Sequence, residues 1–337
     1  MAIYDIWFGT YSRGDKGGIF YGKFNSDDGG LTVDGNIVLD DPSYLSMSDD
    51  GKTLYAVSEK NDGEVASIDY AEKKITSIQP TFGSAPCHLT RAGKFIYCAN
   101  YMEGTLSAGA IDEDNGQILP GFHSVAHYGK GVNPRRQEKA HVHYTALTPD
   151  GKYLAVCDLG LDKIILYPYD KTNGIALGEI SFDTPAGAGP RHIAFSKDGK
   201  YLYSNMEMGN LLLTYGYNEG YLIPLDSVST IPADFEKNSN TAAIHVSPDG
   251  KYVAVSNRGH DSIAYYSIGS DGKPALVDYI KTNACPRDFA FSPDGKYIIA
   301  ASQNESTVGV YAIAADGKVT DTGVRASVPS PVCVLFA

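Results

Sequence analysis

The chain has 337 residues, 43% apolar and 20% charged, which is a soluble composition with ample material for a core. Forty acidic residues against 28 basic ones leave −12 at pH 7. A surface of that sign repels phosphate backbones and anionic lipid, so neither nucleic acid nor a membrane is an expected partner. The opening Met1-Ala2-Ile3-Tyr4-Asp5 has no basic or apolar leader, and no apolar run approaches the ~20 residues of a membrane helix. Cys87, Cys98, Cys157, Cys285 and Cys333 have no CxxC or zinc-like spacing and read as reduced thiols, so a cytoplasmic location is expected.

Taken in chain order, the first elements are three alternating strands at Tyr4–Tyr11, Gly18–Phe24 and Leu31–Leu39. A phrase then recurs: a strand, Asp-Gly-Lys, and a second strand. It runs as "PSYLSMSDDGKTLYAVSE" from Pro42, "HVHYTALTPDGKYLAVCDL" from His141 and "PRHIAFSKDGKYLYSNME" from Pro190. It returns as "TAAIHVSPDGKYVAVSNR" from Thr241 and "PRDFAFSPDGKYIIAASQ" from Pro286, with a degenerate copy, "PCHLTRAGKFIYCAN", from Pro86. The turn glycines Gly51, Gly93, Gly151, Gly199, Gly250 and Gly295 are 42, 58, 48, 51 and 45 residues apart. Each copy predicts a hairpin whose Asp-Gly supplies the positive φ of a tight turn. Third and fourth strands follow, as in Asp162–Asp170, Asp261–Ile268, Ser306–Ile313 and Leu276–Thr282.

Four antiparallel strands repeating every ~40–50 residues, without helical periodicity, predict propeller blades. Six blades are internal. The seventh is assembled from both ends, with Val328–Ala337 as its first strand and the three opening strands as the rest. The expected architecture is all-β: one seven-bladed β-propeller domain over residues 1–337.

Alignment on the turn glycine shows which residues share a position. Eight residues before it stand Ser43, His143, Arg191, Ala242 and Arg287; seven or eight after it stand Glu59, Asn100, Asp158, Glu207, Asn257 with Arg258, and Gln303. In an antiparallel hairpin the start of one strand lies beside the end of the next, so these residues are expected at one end of the blades. A histidine, arginines and a glutamate gathered there form a candidate site. Each also has a plain structural alternative: a hydrogen-bonded strand histidine, or arginines neutralising nearby carboxylates. Glu207 could simply pair with Arg191. His192 is expected to point away from Arg191, as alternation dictates.

The segment "GKGVNPRRQEK" at Gly129–Lys139 fills the longest interval between repeats and is basic in an acidic chain. Lys130, Arg135, Arg136 and Lys139 could bind a phosphate or carboxylate, or be a solvated loop. His141 and His143 in "HVH" invite a metal reading, but no third ligand is apparent, so no metal or organic cofactor is expected. The GxSxG, Walker A, GxGxxG and HExxH phrases are absent.

One tryptophan, Trp7, and no Trp-Asp dipeptide exclude WD repeats. The phrases "GVNPRRQEKAHVH" (Gly131–His143), "GPRHIAFSKDGKYLY" (Gly189–Tyr203), "NME" (Asn205–Glu207), "IHVSPDGKYVAVSNRGHDSI" (Ile244–Ile263) and "CPRDFAFSPDGKY" (Cys285–Tyr297) resemble the lactonase family of seven-bladed propellers. That family includes propeller-type 6-phosphogluconolactonases and carboxymuconate cyclases. The resemblance covers essentially the whole chain. It implies a catalytic set of His143, Arg191, Glu207 and a second arginine, either Arg287 or Arg258. His141, Lys130, Arg135, Arg136 and Arg258 are the expected substrate-binding residues.

The implied activity is hydrolysis of a small anionic sugar lactone, 6-phosphogluconolactone above all, by a monomer or weak homodimer. His143 or Glu207 would be the general base and Arg191 the oxyanion donor. A carboxymuconate cycloisomerase or a noncatalytic binding propeller are the alternatives.

Overall fold

The structure, a computed structural model, describes residues 2–176 and 178–337; Met1, part of the leader reading, lies outside them. The recurring phrase makes its own loop. Ser48, Thr148, Ser196, Ser247 and Ser292 each donate their hydroxyl to the aspartate two residues on, at 2.6–2.7 Å. That aspartate accepts the backbone N–H of the following lysine at 3.0–3.3 Å. The hydroxyl also accepts the N–H of the residue that opens the second strand, at 2.9–3.0 Å. Five residues therefore form the connection, not the two of a tight turn. Only the glycine takes a positive φ, +68° to +77° in these copies, and its N–H bonds back to the serine or threonine carbonyl.

Seven antiparallel sheets result, the blades of a seven-bladed β-propeller. The first sheet runs Pro331–Phe336, Ile3–Thr10, Ile19–Asn25, Gly30–Ile37. The C-terminal strand thus takes the place that a hairpin's first strand holds elsewhere, as expected from the repeats. The fourth sheet departs from four strands: Gly174–Ile175 and Ile180–Asp183 share the edge of Lys163–Asp170. The one helical element among the described residues is a 3₁₀ turn at Gln303–Glu305.

The chain divides into two compact units. In the unit Met1–Val38, Ile193–Asn218 and Leu222–Ala337, successive side chains of one strand serve different cores. Val253 and Val255 pack with Tyr203, Leu212 and Ile244. Ala254, between them, packs with Tyr265, Phe289 and Phe291. Ile6, Phe8 and Val334 join Ile299 and Val308 in a third cluster. In the unit Leu39–His192 with Glu219–Tyr221, Tyr55 and Val57 pack with Leu89 and Ile96, while Tyr97 and Ala99 pack with Leu154 and Val156. Strands buried on both faces read as continuous apolar runs, which is why the second strands are buried almost throughout. The outermost strands, such as Lys74–Pro80, alternate exposed and half-buried residues.

Candidate active site

Several of the aligned positions share a backbone device. In the strand Val142–Leu147, Val142 faces Asp158 and Tyr144 faces Cys157, so His143 is the extra residue of a β-bulge. Arg287 is extra between Pro286, facing Ser302, and Asp288, facing Ala301. The register also shifts within Thr241–Ile244 and between the partners of Gly9 and Thr10. A bulge lifts one side chain out of the alternation and re-aims it, and such bulges recur beside active sites. Arg191 holds the same second position in its strand, Pro190–Phe195.

Cys87 is the bulge residue of the third sheet, between Pro86 facing Asn100 and His88 facing Ala99. Counting from the glycine misses it, because that copy is two residues shorter between its opening proline and its glycine. Counting from the proline that opens the strand would have found it, as Pro86-Cys87 matches Pro190-Arg191 and Pro286-Arg287. Ser43 precedes its strand, and its hydroxyl donates to Glu59.

His143 and Arg191 lie in the unit Leu39–His192, buried at 4% and 3% exposure. His192 connects them: Arg191 Nη1 is 3.0 Å from its Nε2, and its ring is 5.3 Å from the His143 ring. Strand alternation sends His192 to the other side of the sheet; instead it sits against the guanidinium. Tyr144 at 4.7 Å and His88 at 5.5 Å complete an aromatic packing around His192.

His141 is fixed by its surroundings. Asp158 accepts its backbone N–H at 2.9 Å and bonds the buried His127 Nδ1 at 2.7 Å. Nδ1 of His141 is 2.9 Å from the Tyr101 carbonyl and its Nε2 is 3.2 Å from Glu138. Both ring nitrogens of His141 are thus engaged. Among the described residues no group of three or more His, Cys, Asp and Glu side chains is placed to hold a metal ion.

Arg136 links the basic loop to this centre. Arg136 Nη2 donates to the Tyr101 hydroxyl at 3.3 Å; the Tyr101 ring stacks on His141 at 4.5 Å and meets His143 edge-on at 5.5 Å. Gln137, fully buried, pins the loop by accepting the Asn133 N–H and donating to the Leu159 carbonyl. Lys130 and Arg135 are exposed, and Lys139 donates to the Met102 carbonyl.

Glu207, Arg258 and Arg287 lie in the other unit. Glu207, 3% exposed, accepts from Arg258 Nη2 at 2.9 Å, and the same nitrogen is 2.8 Å from the Thr241 carbonyl. Arg287 Nη2 donates to the Tyr11 hydroxyl at 2.8 Å, with its guanidinium 4.9 Å from the centre of the Tyr11 ring. Other strand-end residues are structural: Asn100 donates to Thr105 and Ser107, and Asn257 to the Thr230 carbonyl.

A β-propeller that carries a histidine and arginines at the second position of its blades' first strands has the groups of an acid–base enzyme. The chain belongs to the lactonase family, whose model, described as "Lactonase, 7-bladed beta-propeller", matches residues 5–336. It is 36% identical over 304 residues to a 6-phosphogluconolactonase of Bacillus subtilis, covering 86% of each chain. Among solved structures it resembles a candidate 6-phosphogluconolactonase of Bacteroides fragilis, with a TM-score of 0.94, 32% identity, and 99% and 98% of the two chains covered. It also resembles a periplasmic gluconolactonase of Pseudomonas aeruginosa, with a TM-score of 0.93, 28% identity, and 100% and 99% covered.

Proposed function

We propose that the chain is a lactone hydrolase converting 6-phosphogluconolactone to 6-phosphogluconate, a step of carbohydrate metabolism. The observation that carries this is the 36% identity to the Bacillus subtilis 6-phosphogluconolactonase across 86% of both chains. The lactonase relatives favour hydrolysis over muconate cyclisation or a noncatalytic role.

Lactone hydrolysis needs three things: a base for water, a donor for the carbonyl oxygen as it becomes an oxyanion, and an acid for the departing ring oxygen. We assign the base to His143. Glu207 is engaged by Arg258 at 2.9 Å, so its part is to hold that arginine as a substrate-binding group. His143 takes the proton as water attacks C1, Arg191 stabilises the oxyanion, and the imidazolium returns the proton as the C1–O5 bond breaks. Buried and pressed on His192, Arg191 pays little reorganisation when the charge develops. Arg287 is assigned to the distal phosphate, with Arg136, Arg135 and Lys130 of the basic loop adding positive charge. These assignments rest on equivalent repeat positions and on family membership.

The enzyme is proposed to act in the cytoplasm as a monomer or weak homodimer, without nucleic acid, membrane or cofactor. No helix among the described residues is long and apolar enough to cross a membrane. All five cysteines are free thiols, which supports a reducing compartment. Purified protein added to fresh 6-phosphogluconolactone should raise hydrolysis well above the spontaneous rate. A rate equal to the spontaneous one, for this and for unphosphorylated gluconolactone, would refute the assignment.

A further inference from the structure

Asp158 and His127 are buried side chains that the proposed chemistry leaves unused, and both lie in the unit Leu39–His192. Asp158, fully buried, ends the strand Tyr153–Asp158. One of its carboxylate oxygens accepts the N–H groups of His141 at 2.9 Å and Leu161 at 3.0 Å, and the other accepts from His127 Nδ1 at 2.7 Å. The Tyr167 hydroxyl, which burial pushes up to about 12, stays protonated and donates to His127 Nε2 at 2.9 Å. His127 stands two residues before the basic loop Gly129–Lys139, and His141 two residues after it. One carboxylate therefore ties both ends of the segment that carries Lys130, Arg135 and Arg136. Resting on the hydrolase reading above, we propose that Asp158 and His127 are positioning residues: together they clasp the basic loop and hold Arg136 in place to meet the anionic part of the substrate.

The loop is braced within itself. Asn133 Oδ1 accepts the N–H groups of Arg135 and Arg136 at 3.1 and 3.2 Å. The Gln137 N–H donates to the Asn133 carbonyl at 2.8 Å, and the Gly131 N–H to the Gln137 carbonyl at 2.9 Å. A segment so braced moves as a body, and its attachments decide where its guanidinium groups stand. The turn that follows Asp158 supplies attachments along the whole loop. At the loop's start, the Leu161 side chain lies 3.1 Å from where a Cβ on Gly129 would be. In its middle, Gln137 donates its side-chain amide to the Leu159 carbonyl at 2.9 Å. At its end, a Cβ on Gly160 would lie 2.0 Å from the Lys139 carbonyl oxygen, so only glycine lets the loop sit this close. The bonds to the Asp158 carboxylate are charge-assisted, about twice as strong as neutral ones. With the loop so held, Arg136 reaches the Tyr101 hydroxyl at 3.3 Å, and the Tyr101 ring meets His143 edge-on.

The test uses the full-length protein. Hydrogen–deuterium exchange read by mass spectrometry should show the peptide 128–141 protected in the parent, since the Gly131, Gln137 and His141 N–H groups are bonded. Asparagine places an amide N–H near the position of Nδ1, and glutamine near that of Nε2. His127→Gln therefore loses the bond to Asp158 and should exchange this peptide roughly tenfold faster, whereas His127→Asn keeps the bond and should stay near the parent. In kinetics, His127→Gln should raise KM for 6-phosphogluconolactone by roughly three- to tenfold, the scale of one hydrogen bond, with kcat little altered. Unphosphorylated gluconolactone should be less affected. Added to Arg136→Ala, His127→Gln should raise KM no further, because both changes act through one guanidinium. Rapid exchange of the peptide in the parent would overturn the proposal, even if His127→Gln failed to fold. So would parental exchange and KM in His127→Gln, equal losses in His127→Asn and His127→Gln, or KM effects that add fully to those of Arg136→Ala. A parent inactive on every lactone would instead overturn the hydrolase reading, and the exchange of the parent and the two His127 variants would still decide the clasp.

Discussion

At the hairpin loops five copies of the repeat make the same bonds, serine or threonine to aspartate at 2.6–2.7 Å in each. At the bulged strand starts the backbone device recurs while the side chain changes, from Cys87 to His143 to Arg287, with Val332 in the C-terminal strand. The loop side chains serve their own backbone, and any copy that lost them would form a poorer hairpin. The bulge side chains are not needed by the bulge, which forms around cysteine, histidine, arginine or valine alike. In this repeat protein, constancy marks the scaffold and variation marks the chemistry.

The sharpest way to break that comparison is to alter one residue of each kind and compare rate with stability. His143→Asn removes the proposed base and should lower kcat by ~10²–10⁴-fold, while Arg191→Ala should lower it by ~10²–10³-fold through loss of the proposed oxyanion donor. Stopped-flow hydrolysis of 6-phosphogluconolactone, normalised to folded protein by circular dichroism, separates these losses from unfolding. Near-parental turnover in both variants would remove these strand-start positions from the chemistry.

Arg287 divides the bulge residues among themselves. Bonded to Tyr11 and assigned to the distal anion, it should contribute binding that is equal in ground and transition states. Arg287→Ala should therefore raise KM for the phosphorylated lactone by roughly tenfold or more, with kcat little altered. Gluconolactone without phosphate should be almost insensitive to the change. Equal losses on both substrates would move Arg287 from phosphate binding to the reacting centre.

A loop substitution should do the opposite. Gly151 has φ +68°, and an added Cβ would meet nothing within 4 Å, so Gly151→Ala isolates the backbone cost of a left-handed residue. That cost is about 1–2 kcal/mol, visible as a Tm lower by a few degrees, and kcat should not change. A kcat loss comparable to that of Arg191→Ala would show the loops to be part of the chemistry after all.

Much of this was legible in the sequence because a repeated phrase supplies its own alignment: strand order, the seven sheets and the closing C-terminal strand all follow from it. The bulge was not, since alternation assumes one partner per residue and a bulge violates that locally. For the same reason alternation misplaces His192, whose ring meets the Arg191 guanidinium. Cys87 was hidden because its copy is two residues shorter between its opening proline and its glycine, which shifts any count made from the glycine. As the partner of Glu207 the sequence suggested Arg191, with Arg258 weighed only as a site arginine. Arg258 takes it through the hairpin that follows, where the Glu207 carbonyl also accepts the Thr241 N–H.

The smallest effect concerns acid stability of a single loop. Asp198 is held well below the ordinary carboxylate range, at about 2, by the Ser196 hydroxyl and then by Lys200. The unfolded chain takes up its proton near pH 3.8, whereas the folded loop keeps the carboxylate until about pH 2. The loop's contribution is therefore fully present above about pH 4 and is lost as the pH falls from there toward 2. Asp198→Asn keeps an oxygen for the Ser196 hydroxyl and the Lys200 N–H but cannot titrate. It should have a slightly lower urea midpoint than the parent at pH 7, and the gap should close at pH 2. The gap stays small because solvent reaches this pair and screens it. A gap that persisted unchanged between pH 7 and pH 2 would mean that the aspartate acts in the loop through shape alone, not charge.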